Sequence, residues 1–263
     1  MRIDFITAES ALTRRLRERE FIRFPQLTVP LLAALTPPDI EVHHTDEIIS
    51  PVDFEHPADL VAITCNTPAA LHAYELADRY RETGIPVVLG GPHPTLLPVE
   101  AQAHADAVVV GEAEESWPRL IEDFRNGRLQ PRYRSERPPS LRQLPKARRD
   151  LLEGRWYSKG VLIATRGCPN ACEYCTLPSI YHREMRFRPV EEVAAEVASI
   201  RGKALVFWDD NIAADPDYAK ALFRAIAPFR KWWAEPGHGQ GGRGRGVATA
   251  GGRKRLQSPL HRV

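Results

Sequence analysis

No run in the 263-residue chain comes near the roughly 18 consecutive apolar residues that a bilayer crossing needs. The opening MRIDFITA lacks the charged-then-apolar build of a secretory signal and begins like a strand, so the expectation is a cytoplasmic protein. Cysteine is scarce: there are four in all, which gives no basis for a disulfide framework. Three of the four fall between positions 168 and 175, a clustering that points to metal binding or redox work. Charge of one sign is also missing from most of the chain. The net charge is +2, yet residues 235–263 hold six Lys/Arg against one Glu, which leaves 30 basic and 33 acidic side chains in residues 1–234. The body is mildly acidic and offers no nucleic-acid footprint. Hydrophobic residues at 43% and charged residues at 27% suit a globular chain large enough for one sizeable domain or two modest ones.

What is present is an alternation of strands and helices. Residues 2–7, 40–44, 59–64, 86–90 and 107–111 are short apolar, β-branched runs that end in Gly, Pro or a polar residue, as buried parallel strands do. Between the third and fourth lies a helix with Thr67 as N-cap, Pro68 at its first position and Gly84 as its stop. Its face toward the sheet is expected to carry Leu71, Tyr74, Leu76 and Tyr80. Another helix runs from about Glu114 to Arg125. Together these predict a doubly wound α/β domain over residues 1–126, of the flavodoxin or Rossmann kind. Ligands of such sheets sit outside the C-terminal strand ends. Here those ends are Thr64 to Thr67, Gly90-Gly91 and Gly111-Glu112. Cys65 beside them reads as a buried free thiol, and His93 and His104 as isolated loop or surface histidines.

Residues 127–158 are rich in Pro and Arg without periodicity and read as a linker. Over residues 159–233 the order is strand (VLIAT), loop (RGCPNACEYC), helix (PVEEVAAEVASI), strand (ALVFW) and helix (DYAKALFRAIAPF), the opening of a partial (β/α) barrel. From residue 234 the composition changes: eight of the seventeen glycines lie there, with few core formers, so this tail is expected to be disordered. GQGGRGRG within it could be an RNA-binding arm. The favoured reading is genetic. Gly and Arg codons read one base later encode Ala, Asp, Glu, Gly and Val, so the tail is expected to be a frameshifted stretch of a longer, truncated enzyme. Sequencing the coding DNA past the Trp233 codon tests this.

The motif that carries chemistry is Cys168-Pro-Asn-Ala-Cys172-Glu-Tyr-Cys175, three thiolates at C-x3-C-x2-C spacing directly after a strand. Thiolates are the ligands of iron–sulfur clusters, and three of them leave one iron of a [4Fe–4S] cubane free to chelate a substrate. A structural zinc site would want four ligands, and the further candidates are only His182 and the distant Cys65. The motif resembles the radical S-adenosylmethionine (SAM) superfamily, in which SAM binds that open iron. Tyr174, one position before the last cysteine, matches the same pattern. The resemblance implies SAM contacts at Tyr174 and at Asp209, Asp210 and Asn211, whose strand end follows next. An Asx turn closing the strand, with Asp215-Pro216 starting the following helix, is the competing account of those three.

The stretches DLVAITCNTPAALHAYELADRYRETGIPVVLGGPHPTLLPVEA and DAVVVGEAEESWPRLIEDF extend the resemblance to radical enzymes with an N-terminal cobalamin-binding domain, over residues 1 to about 233. It implies cobalamin contacts at Thr64, Thr67, Gly90, Gly91, Gly111 and Glu112. One departure stands out. The Asp-x-His-x-x-Gly loop that supplies a cobalt-ligating histidine in many such domains is replaced by AESALTRRLRERE. Cobalamin would then bind without a protein ligand to cobalt, or the domain is a scaffold for something else. The implied reaction begins with one-electron cleavage of SAM to a 5′-deoxyadenosyl radical, fed by a donor such as ferredoxin or flavodoxin. It continues with methyl transfer or related C–H functionalisation of a small-molecule or lipid-like substrate. A truncated, non-catalytic remnant is the alternative. A tRNA methylthiotransferase would bring three further cysteines in its N-terminal domain, where only Cys65 is present.

Overall fold

A computed structural model describes residues 1–14, 24–152 and 158–235. The tail beyond Glu235 lies outside the described residues, so the expectations placed on it are not addressed by the structure.

The first unit is an open sheet of six parallel strands: β1 (Arg2–Thr7), β2 (Glu41–Asp46), β3 (Leu60–Thr64), β4 (Val87–Gly90), β5 (Ala107–Val110) and β6 (Arg132–Arg134), in the order β2-β1-β3-β4-β5-β6. The first five follow the flavodoxin-type arrangement. The sequence explains the buried centre, because every residue of β3 (LVAIT) is apolar or Thr and all five are buried. Helices α1 (Ala11–Arg14), α2 (Thr28–Leu35), α3 (Ala70–Glu82), α4 (Pro92–Leu96), α5 (Pro98–Ala103) and α6 (Ser116–Arg125) complete the unit. Two apolar clusters separate cleanly by strand alternation. Ile6, Val61, Ile63 and Leu89 meet α3 on one face, while Phe5, Leu60, Ala62 and Val109 meet α2 and α6 on the other. Burying each such side chain stabilises the fold by about 1.5–3 kcal/mol before entropy is counted.

Several local expectations need correction. Leu71 is 77% exposed; alanines 70, 73 and 77 fill the sheet-facing stripe of α3 with Tyr74, Leu76 and Tyr80. Thr67 does not cap that helix: it opens a 3-10 turn (Thr67–Ala69), and its hydroxyl bonds the His93 ring instead. His93 is not a surface residue but is buried between Thr67 and Glu100. The presumed linker is partly sheet, since β6 pairs with β5 and buries Tyr133 completely. Beyond β6 the segment straps the two units together: the Arg148 N–H bonds Pro30 O at 2.9 Å, and Arg149 pairs with Glu196 at 2.6 Å.

The second unit holds a parallel three-stranded sheet, β7 (Val161–Leu162), β10 (Ala204–Phe207) and β11 (Trp232–Ala234), in the order β11-β10-β7. Strand β11 runs one residue into the segment assigned to the tail. Helices α8 (Val190–Ser199) and α9 (Pro216–Ile226) cover one face through Val193, Val197, Leu222 and Phe223. Asp215 caps α9 as expected, accepting from the N–H groups of Asp217 and Tyr218. On the other face Val161 and Val206 are buried against Leu27 and Ala147 of the first unit and its strap. A short antiparallel ribbon, β8 (Thr165–Arg166) and β9 (Arg186–Phe187), brackets the cysteine loop and helix α7 (Leu177–Tyr181).

Candidate cofactor site between two sheets

The cysteine loop leaves β8 through Gly167, whose φ is +87°. A side chain there would collide with the carbonyl oxygen of Glu184, so glycine is required where the two arms of the loop cross. Cys168 is buried, Cys172 and Cys175 are half-buried, and a bond from Cys175 N to Cys172 O at 3.0 Å tightens their turn. Tyr174 is 86% exposed, and its hydroxyl beside Cys172 has a raised pKa from that neighbouring sulfur. Cys65, at the end of β3 in the other unit, is buried, and desolvation pushes its thiol up to about 12. It packs as a core residue in the apolar cluster between the first sheet and α3. Three thiols on one partly open loop fit a cluster with one iron left to a small-molecule ligand.

Asp209, Asp210 and Asn211 are wired to this loop one after another. Asp209 is buried and accepts bonds from Ala164 N (3.0 Å), Thr165 N and Thr165 Oγ1 (2.7 Å). Asp210 accepts from Gly167 N at 2.8 Å, and Asn211 Nδ2 approaches Cys168 Sγ at 3.4 Å. Thus Asp209 braces the strand that enters the loop, Asp210 holds the glycine crossing, and Asn211 orients the Cys168 sulfur. Burial pushes Asp209 up to about 7, although its three donors pull the other way. A raised carboxyl binds its proton more readily in the native state. Its contribution to stability is thus full below the ordinary carboxylate range and is lost as pH rises through about 7. Between pH 5 and 8 the unfolding midpoint of the wild-type chain should fall more than that of Asp209→Asn, by on the order of 5 °C. Parallel melting curves for the two proteins would show that the carboxyl is not desolvated.

The other half of the site is formed by the strand ends of the first sheet. A cavity of about 370 Å³ lies over the C-terminal ends of β3, β4 and β5. Thr64, Gly90, Gly91, Gly111 and Glu112 line it, all but one of the positions expected to hold cobalamin; Thr67 turns toward His93 instead. From across the domain boundary Thr165, Arg166, Trp208 and Asp210 close the same cavity. Gly91 has a φ of +102°, and a Cβ there would lie 2.7 Å from Thr64 Oγ1 and 2.8 Å from the Cys65 carbonyl oxygen. The backbone can pass this close to β3 only without a side chain, which keeps the floor of the cavity flat for a large ligand. Thr95, not anticipated from sequence, ties the floor together by donating to Gly91 O (2.8 Å) and accepting from Gly111 N (2.9 Å).

Glu112 is at the cavity wall, but its carboxylate is engaged by two arginines of the second unit, Arg166 and Arg186, each at 2.5 Å. Arg166 also meets Glu114 at 2.5 Å. Burial opposes the charge of Arg166, yet Glu114 and Glu112 outweigh it and raise the guanidinium's pKa above its ordinary value. Sequence reasoning missed these arginines: Arg166 opens the RGCPNACEYC loop and Arg186 lies beyond it, but their partner is 54 and 74 residues away.

The comparisons with known proteins follow this division. A family model described as the B12 binding domain matches residues 29–121, and one described as the radical SAM superfamily matches residues 162–253. Bacteriochlorophyllide d C-8(2)-methyltransferase of Chlorobaculum tepidum is 37% identical over 208 residues, covering 71% of this chain and 46% of that protein. The C-12(1)-methyltransferase of the same organism is 33% identical over 221 residues, covering 79% of this chain and 48% of that protein. Hopanoid C-2 methylase of Rhodopseudomonas palustris is 26% identical over 213 residues, covering 76% and 40%. The chain spans about half the length of the relatives it matches. With both domain matches on one chain and the residues that lead into the cysteine loop closing the cavity over the glycine-rich strand ends, the protein belongs to the radical SAM superfamily, in the group with an N-terminal B12-binding domain, whose cofactors are a [4Fe–4S] cluster, SAM and cobalamin.

Proposed function

We propose that the chain is the cofactor-binding portion of a cobalamin-dependent radical SAM methyltransferase. The observation that carries this reading is the shared cavity: the strand ends suited to cobalamin and the residues that lead into the cysteine loop form opposite walls of one space. When bound, the cluster would supply the electron that cleaves SAM, and cobalamin would supply a methyl group. The protein's own work is then positional. Cys168, Cys172 and Cys175 hold the cluster, while Thr64, Gly90, Gly91 and Gly111 present a flat floor to the corrinoid. Asp210 and Asn211, with Tyr174 at the rim, are the proposed SAM contacts, and Asp209 supports them from beneath. The exposed edge of the loop at Tyr174 and the half-buried Cys172 and Cys175 leave a side on which an electron donor of the ferredoxin or flavodoxin class can approach. No described helix is long and apolar enough to cross a membrane. A cytoplasmic setting is proposed because it keeps such thiols reduced. Two of the relatives are named for bacteriochlorophyllide d and for a hopanoid, and another for cytidylyl-2-hydroxyethylphosphonate. A small-molecule or lipid-like substrate with an apolar part is proposed here, in keeping with the apolar Leu27, Leu31 and Ile163 at the cavity.

Titration with hydroxocobalamin, followed by its absorbance, tests the first half of this reading. Wild-type chain should bind one equivalent, and Gly91→Ala should weaken binding at least about tenfold, because relieving the contact of the added carbon with Thr64 and Cys65 displaces the cavity floor. Gly84→Ala is the control. It also sits at positive φ, but nothing lies within 4 Å of its added carbon and it does not line the cavity. Equal binding by Gly91→Ala and wild type would remove the corrinoid from this cavity.

A further inference from the structure

The edge of the first sheet carries a second cluster of ligand-type side chains that neither cofactor uses. Asp4 on β1 and His43 on β2 are register partners, and His56 comes from the turn before β3. One carboxylate oxygen and one ring nitrogen from each histidine all lie within 4.8 Å of one another. Asp4 is 1% exposed, deep for a carboxylate, and one of its oxygens lies 2.8 Å from His43 Nδ1. The His43 and His56 rings stack at 4.0 Å with 21° between their planes. His56 Nδ1 is buried there without a hydrogen-bond partner. Burial without a partner is costly for such a nitrogen, and a cation would satisfy it together with the buried carboxylate.

We propose that Asp4, His43 and His56 form a binding site for a divalent transition-metal ion of the zinc class. Two imidazoles and one carboxylate are the borderline N/N/O donors that zinc accepts, whereas calcium and magnesium take shells of oxygen. Three protein ligands would leave a fourth position for water or another donor, and His43 and His56 line a pocket of about 490 Å³ that Asp53 also borders. The ion would pin β1, β2 and the turn before β3 to one another at the sheet's edge, a role separate from the cysteine loop and from the function proposed above.

Zinc titration calorimetry on the full chain tests this, with Cys168, Cys172 and Cys175 all replaced by serine so that no thiolate competes. Circular dichroism checks that the fold is retained. The expected result is one equivalent of zinc bound, calcium not bound, and a higher unfolding midpoint with zinc present. His43→Gln and His56→Gln should each weaken zinc binding at least about tenfold and abolish the zinc-dependent rise in midpoint. Should the serine chain fail to fold, the wild-type chain with its cluster reconstituted is equilibrated with zinc and its bound zinc counted by mass spectrometry, with the same two variants. Absence of saturable zinc binding, or binding unchanged in both histidine variants, overturns the site.

Discussion

Replacing Cys172 with alanine is expected to abolish assembly of the [4Fe–4S] cluster and, with it, reductive cleavage of SAM. Anaerobic reconstitution of wild-type chain should give the broad visible absorbance of a cubane, and dithionite should then release 5′-deoxyadenosine from SAM. In Cys172→Ala both signals should fall by more than about 100-fold, because loss of even an outer hydrogen-bonding partner of a metal site costs about 10- to 100-fold. Misfolding is a poor alternative explanation: Cys172 is half-exposed on a loop and adds little to the core. Cys65→Ala is the informative companion. That thiol is buried, with its pKa pushed up to about 12, in the strand end of the other unit, so its loss should leave cluster and cleavage intact. A cluster that survives Cys172→Ala, or one that is lost in Cys65→Ala, would overturn the ligand assignment. A cluster that forms without release of 5′-deoxyadenosine would point to a chain that binds its cofactors and does not turn over.

The contrast between those cysteines marks how far the sequence could be read. The spacing from Cys168 to Cys175 encodes chemistry locally, since every ligand lies on one loop, and the loop's glycine crossing is written beside it. Strands β1, β3, β4 and β5 were legible for the same reason: runs such as LVAIT are buried on both faces and carry no other signal, whereas β2 is a half-exposed edge strand. Strand β6 was not. It is three residues long, and only Tyr133 points inward, flanked by exposed arginines that look like linker. Helix α2 was missed because TVPLLAAL has a proline within its first turn and no side-chain cap. The roles of Asp209, Asp210 and Asn211 were half legible: their place at a strand end was clear, but their bonds to residues 164–168 run between segments more than forty residues apart. A long-range pair of this kind also decided Thr67, whose hydroxyl is drawn to His93, whereas Leu71 is a local matter, since alanines 70, 73 and 77 of its own helix occupy the buried face.

Glu112 is the strongest case of such a pair, and Glu112→Ala is expected to loosen the junction between the two units. Its carboxylate bridges Arg166 and Arg186, and all three side chains are only 11–13% exposed. Removing one member of a buried ion pair leaves charge without compensation, which typically costs about 3–5 kcal/mol. Arg166 keeps Glu114 at 2.5 Å and Arg186 keeps the Pro139 carbonyl at 2.7 Å, so the loss should fall toward the lower end of that range. Urea unfolding of the variant should show the lower midpoint, and limited proteolysis should cut the strap beyond β6, at residues 135–152, sooner than in wild type. Lost packing alone could mimic the first result, and a double-mutant cycle separates the two. If the bridge is made, Glu112→Ala and Arg186→Ala together should cost less than the sum of the single changes by about 1 kcal/mol or more. Additive costs would mean that the carboxylate and guanidinium do not interact in solution. The functional consequence follows from where the bridge stands. Glu112 forms part of the cavity wall between the glycine-rich strand ends and Arg166, so on the proposed reading the same variant should weaken hydroxocobalamin binding while leaving cluster assembly on the three cysteines unchanged. Loss of both together would instead mean that the two units fold as one, with the cavity dependent on that whole and not on this contact.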